Sequence, residues 1–154
     1  MKKVFLASFL AFFGALSVCS FAETKPFVFP ASPCESVTAF DTTTTPDLGV
    51  IIFSDDVETA WNAIRLANYS QAQGDMVVIF VTGKGLDAFM LTQDEAEMYH
   101  IQSLSREFIV GGGAIYICAT CAKVRGTDDV RYCTITSIAD MYQIIKRSKK
   151  VISF

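Results

Sequence analysis

From Leu48 onward, short apolar runs alternate with longer segments of helical period, and this alternation constrains the fold more than any other feature. Leu48 to Phe53 is a continuous apolar run, as expected of a strand covered on both faces. Asp55, with Glu58 three residues later, has the spacing of a capping box. Val57, Ala60, Trp61, Ile64 and Ala67 then share one helical face, and Gly74 stops the helix. Met76 to Val81 is a second buried strand. Thr92 with Glu95 opens another helix, with Met98, Ile101, Leu104 and Phe108 on one side and Gly111-Gly112-Gly113 at its end. Ala114 to Cys118 forms a third strand, followed by a short helical turn from Ala119 to Arg125 closed by Gly126. Tyr132 to Thr136 is a weaker fourth strand, Ser137 with Asp140 starts a last helix, and Val151 to Phe154 supplies a fifth strand. Strands alternating with helices imply parallel pairing, right-handed crossovers and helices on both faces. The expected fold is therefore a three-layer α/β/α sandwich with a five-stranded parallel sheet over residues 48–154.

The first 47 residues read differently. Lys2 and Lys3 precede an apolar stretch from Val4 to Val18, and Ser20-Phe21-Ala22 places small residues where a signal peptidase cuts. Residues 1–22 thus read as a signal peptide, which puts the mature chain in the periplasm or outside the cell. A retained membrane anchor and lipid attachment at Cys19 are the alternatives; Val18 stands where the latter needs a small residue. Residues 23–47 have no helical or strand period; they hold all four prolines of the chain and the run Thr42 to Thr45, and read as an irregular leader. Cleavage removes Lys2 and Lys3 and no acid, leaving 11 basic and 16 acidic residues, net −5. That balance argues against a nucleic-acid partner, because phosphate binding needs clustered Lys and Arg. Lys146, Arg147, Lys149 and Lys150 form one basic cluster, at the end of a helix where they compensate its dipole. No membrane span is expected after cleavage, and nothing in the pattern calls for a cofactor.

In an open parallel sheet, ligands meet the protein beyond the carboxyl ends of the strands. Three segments should converge there: Ser54-Asp55-Asp56, Thr82-Gly83-Lys84-Gly85, and Cys118-Ala119-Thr120-Cys121. The cysteine pair is the most specific. A thiol at the start of a helical turn faces free backbone N–H groups, which favour its thiolate, and Lys123 and Arg125 add positive charge if they fold back. A second cysteine three residues on can resolve a mixed disulfide or persulfide on the first. The other readings are a structural disulfide or half a metal site, although one histidine hardly completes the latter.

The remaining candidates have plainer readings. Asp55-Asp56 resembles an acidic phosphoacceptor pocket, but Cys118 stands where such a site needs an aspartate, so helix capping by Asp55 is the expectation. Thr82 to Gly85 lacks P-loop spacing and reads as a tight turn that could offer N–H groups to an anion. His100 reads as a solvent-facing helix position, and Cys133 as a small buried residue within the fourth strand. Cys34 is either free or paired with Cys133.

The run Ile117-Cys118-Ala119-Thr120-Cys121-Ala122-Lys123-Val124-Arg125-Gly126 resembles the cysteine loop of the DsrE/DsrF-like (sulfur-relay, TusD-like) family. The ending Lys149 to Phe154 is similar to the family's closing strand. The resemblance implies a sulfur carrier or sulfurtransferase-like role, with a persulfide formed on a cysteine and passed on. Cys118 matches the family's acceptor position, and Cys121 would be the resolving thiol. It further implies a sulfur-donor or acceptor protein, or a small sulfur species, as partner, and homo-oligomers (trimer or hexamer). Export, the extra thiol Cys121 and the leader set this chain apart from cytosolic relay subunits. A binding or assembly module with a Cys118–Cys121 disulfide is the rival expectation.

Overall fold

A computed structural model describes residues 40–90 and 99–154. The signal segment, most of the leader, Cys19, Cys34, Thr92, Glu95 and Met98 lie outside those residues. Five parallel strands form one sheet: β1 (Leu48–Ile52), β2 (Val77–Val81), β3 (Ala114–Cys118), β4 (Thr134–Thr136) and β5 (Lys150–Ser153), in the order β4-β3-β2-β1-β5. The described helices are α1 (Val57–Ala72), α2 (Gly85–Phe89), α3 (Ile101–Val110), α4 (Ala119–Val124) and α5 (Ile138–Arg147).

Side chains alternate across the sheet and make two cores. Val50, Ile52, Val77, Ile79, Val81, Ile115 and Ile117 point to one face, where Ala60, Ala63, Ile64 and Ala67 of α1 and Ile101 and Phe108 of α3 cover them. Ile51, Val78, Phe80 and Cys118 point to the other, under Phe40 and Ile144 of α5. The fold is the three-layer α/β/α sandwich that the alternation implies.

Local details differ from the sequence expectation at several points. Asp56, not Asp55, caps α1: its carboxylate accepts from the Thr59 N–H at 2.8 Å, while Asp55 turns to the Lys84 ammonium at 3.1 Å. Both aspartates precede the helix, and its start at Val57 leaves the first one to pair with the cross-loop cation. The expected box at the last helix does form, between Ser137 and Asp140. His100 is exposed but stands just before α3 in the left-handed region (φ 47°), so it is not a helix-face position. Cys133 precedes β4 rather than lying in it, half-buried, with its S–H donating to the Arg131 carbonyl at 3.3 Å. It is a free thiol.

The end of the leader packs onto the sandwich. Phe40 is buried, stacks edge-on against Tyr116, and donates its N–H to Asp140 Oδ1 at 2.9 Å. Pro46 and Asp47 accept backbone N–H groups from Lys149 and Lys150, extending the β1–β5 pairing backwards.

Candidate functional site

The carboxyl edge of the sheet gathers the segments after β1, β2 and β3. Lys84 ties the second to the first through Asp55, and two sets of contacts tie the second to the third. Gly83 N–H donates to Cys121 Sγ at 3.1 Å, with Thr82 Oγ1 3.6 Å from the same sulfur. Arg125 then clamps Asp87 of α2 with two guanidinium hydrogen bonds, and its Nη1 also donates to the Cys121 carbonyl.

Local sequence explains this shape. Gly83 has φ 57°, which points its N–H out of the turn at little cost. Gly85 presses against β1: a Cβ there would lie 2.7 Å from the Ile52 carbonyl oxygen. The Thr82–Gly85 turn therefore sits low enough on the sheet edge for its amide to reach across to α4.

Cys118 and Cys121 are both free thiols, but their surroundings differ. Cys118 ends β3, is 5% exposed and faces the Phe40–Ile144 core. Burial pushes its pKa up against a lowering bond from the Cys121 backbone N–H, and the neighbouring Cys121 thiol adds to the rise. Cys121 is half-buried on the first turn of α4. Burial acts against its thiolate too, yet hydrogen bonds from Cys118, Thr82 and the Gly83 N–H, with the Arg125 charge, outweigh it and lower the pKa. The helix-start argument expects the more acidic thiol at Cys118. The structure gives it to Cys121: at Cys118 burial outweighs the bonds from the Cys121 N–H and Thr82, whereas at Cys121 the Thr82 and Gly83 donors and the Arg125 charge help to outweigh it.

The other sequence candidates fall away from this centre. Lys123 is exposed and Arg125 does fold back. Burial raises the Cys133 pKa to about 12, which leaves it a thiol at neutral pH. Asp87 went unnoticed in the sequence: nothing marks it as a partner for a residue 38 positions away. Among the described residues, no cluster of three or more His, Cys, Asp or Glu side chains could hold a metal ion. No helix among them is long and apolar enough to cross a membrane.

A parallel three-layer sandwich with a thiol pair beyond its third strand defines the class. The family model of the DsrE/DsrF-like family matches residues 49–154, and the chain belongs to that family. Its fold is shared with the ychN protein from E. coli (TM-score 0.64, 20% identity, 71% of this chain and 99% of that one). It is shared also with the conserved protein of unknown function BT1422 from Bacteroides thetaiotaomicron (TM-score 0.57, 19% identity, 70% of this chain and 95% of that one). A search of curated proteins returns no match. Membership of the family points to a sulfur-relay type of role.

Proposed function

We propose that this chain is an exported, periplasmic DsrE-like protein that takes up persulfide sulfur on the Cys118–Cys121 pair and passes it to an acceptor. The observation that carries the reading is a pair of free thiols at the sheet edge whose pKa values are driven apart, one up and one down. Such a pair sets a thiol whose nucleophilic thiolate is favoured beside one held in its neutral form. In the reaction a cysteine thiolate attacks the outer sulfur of a donor R–S–SH. The donor S–S bond breaks, R–S⁻ leaves with the electron pair, and the cysteine becomes Cys–S–SH with no net oxidation. The donor is a persulfidated protein or a small sulfur species.

The basic and apolar signature of residues 1–22 supports export. Assembly into a trimer or hexamer fits the apolar side chains left exposed on α5, Ile138, Tyr142 and Ile145, and on β5, Val151 and Ile152. Intact-mass spectrometry after exposure to inorganic polysulfide tests the reading. The wild type should gain sulfur, Cys133→Ser should do the same, and the double variant Cys118→Ser/Cys121→Ser should not. Wild-type protein that gains none overturns the proposal.

The mutual influence of the two free thiols, three residues apart, also favours a second reading, in which the pair closes to a stable structural disulfide in a binding or assembly module. A redox titration separates them, since structural bridges sit below roughly −300 mV.

A further inference from the structure

We infer that Cys121 is the residue that receives the sulfur and that the Thr82–Gly83 turn is the anion seat built for it, with Cys118 buried behind it. The inference rests on the sulfur-handling reading and assigns roles within it that the position of Cys118 after β3 does not suggest.

Access comes first. Cys118 is 5% exposed under Phe40 and Ile144, whereas Cys121 is half-buried on the outer turn. A donor arriving from solvent meets Cys121.

The donor set comes second. The Gly83 amide and the Thr82 hydroxyl both reach Cys121 Sγ, at 3.1 and 3.6 Å, from the turn that follows β2. Fixed N–H and O–H groups aimed at one sulfur stabilise negative charge there without reorganising during reaction. The same charge returns on release, so the seat acts in both directions.

Rigidity comes third. Gly83 lies in the left-handed region, Gly85 is packed on the Ile52 carbonyl, and the Arg125–Asp87 clamp joins α4 to α2. Arg125 also holds the Cys121 carbonyl, which fixes the residue that bears the sulfur.

The chemistry balances on these groups. The Cys121 thiolate attacks the outer sulfur of R–S–SH, R–S⁻ departs with the bonding pair, and Cys121–S–SH forms. On hand-over an acceptor thiolate A–S⁻ takes the terminal sulfur as A–S–SH, and the Cys121 thiolate is re-formed in its seat. No oxidant or reductant enters.

The test uses the full chain, inorganic polysulfide as probe, and mass spectrometry after alkylation with fragment ions that separate Cys118 from Cys121, which share one peptide. Cys118→Ser should still carry a persulfide on Cys121, and Cys121→Ser should lose at least about nine-tenths of the loading. Thr82→Val should keep the wild-type circular dichroism. It should slow alkylation of Cys121 about twofold or more at neutral pH and move its profile to higher pH, because a donor to the thiolate is lost. Persulfide found on Cys118 in the wild type, or full loading of Cys121→Ser, overturns the assignment and leaves sulfur handling intact. Loading on neither cysteine overturns the sulfur-handling reading itself, and the assignment with it.

Discussion

Gly85→Ala probes the link between packing at the sheet edge and the ionisation of Cys121. The added Cβ would lie 2.7 Å from the Ile52 carbonyl oxygen, 2.9 Å from its carbon and 3.0 Å from the Phe53 Cα. All three are backbone atoms of β1 and its exit, so no side chain can swing away. Ordinary contact begins near 3.4 Å, so the Thr82–Gly85 turn must lift by about 0.7 Å. Overpacking of this kind costs about 1–3 kcal/mol. Alanine returns about 0.5–1 kcal/mol by narrowing the unfolded ensemble, so the expected net loss is about 0–2.5 kcal/mol, centred near 1. The same lift lengthens the 3.1 Å Gly83 N–H to Cys121 Sγ bond toward about 3.8 Å and weakens it. Urea unfolding followed through Trp61, the sole tryptophan, reads the stability. Iodoacetamide kinetics against pH read the thiol, and the Cys121 profile should move to higher pH. A variant within about 0.5 kcal/mol of wild type and with an unmoved profile would refute the idea that this close approach sets the seat.

Further expectations concern other contacts. Asp140→Ala removes the acceptor of the buried Phe40 N–H and half of the α5 capping box, and should cost about 2–4 kcal/mol by urea unfolding. Burial opposes the Asp140 carboxylate, but bonds from Thr136, Ser137 and Phe40 hold its pKa below the ordinary 3.8. Its contribution is therefore complete above the unfolded value and is lost as pH falls through the folded one, so Asp140→Ala should flatten the acid limb of stability against pH. Arg125→Gln should move the Cys121 alkylation profile to higher pH while changing stability by no more than about 1 kcal/mol, because Asp87 is half exposed. Cys133, with a pKa near 12, should alkylate at least about a hundredfold more slowly than Cys121 in the native protein, and equally fast in urea.

The layers of the fold were legible because they rest on short-range pattern. Continuous apolar runs marked β1, β2 and β3, the Ala60–Ile64–Ala67 face marked α1, and Ser137 with Asp140 marked the start of α5. Competition between neighbours was not legible. Asp55 and Asp56 have equal capping chemistry, and the start of α1 at Val57 makes Asp56 the cap and leaves Asp55 to pair with Lys84, 29 residues away. The site was half legible in the same way. The cysteine spacing and the turn after β2 each stood out, with the turn read as able to face an anion. That the anion is Cys121 depends on β2 and β3 lying side by side with Val81 opposite Ile117, a pairing no local pattern encodes. The clamp of Asp87 and the docking of Phe40 on Asp140 are likewise products of the assembled sheet.

The most direct test of the account is a single hand-over experiment on the full chain. Protein loaded with polysulfide is freed of excess reagent, mixed with a small acceptor thiol, and both partners are followed by mass spectrometry. A carrier should lose one sulfur atom from the peptide containing Cys121 as the acceptor gains one, with both protein thiols recovered free. Release of sulfide with formation of a Cys118–Cys121 disulfide, and no sulfur on the acceptor, would contradict it.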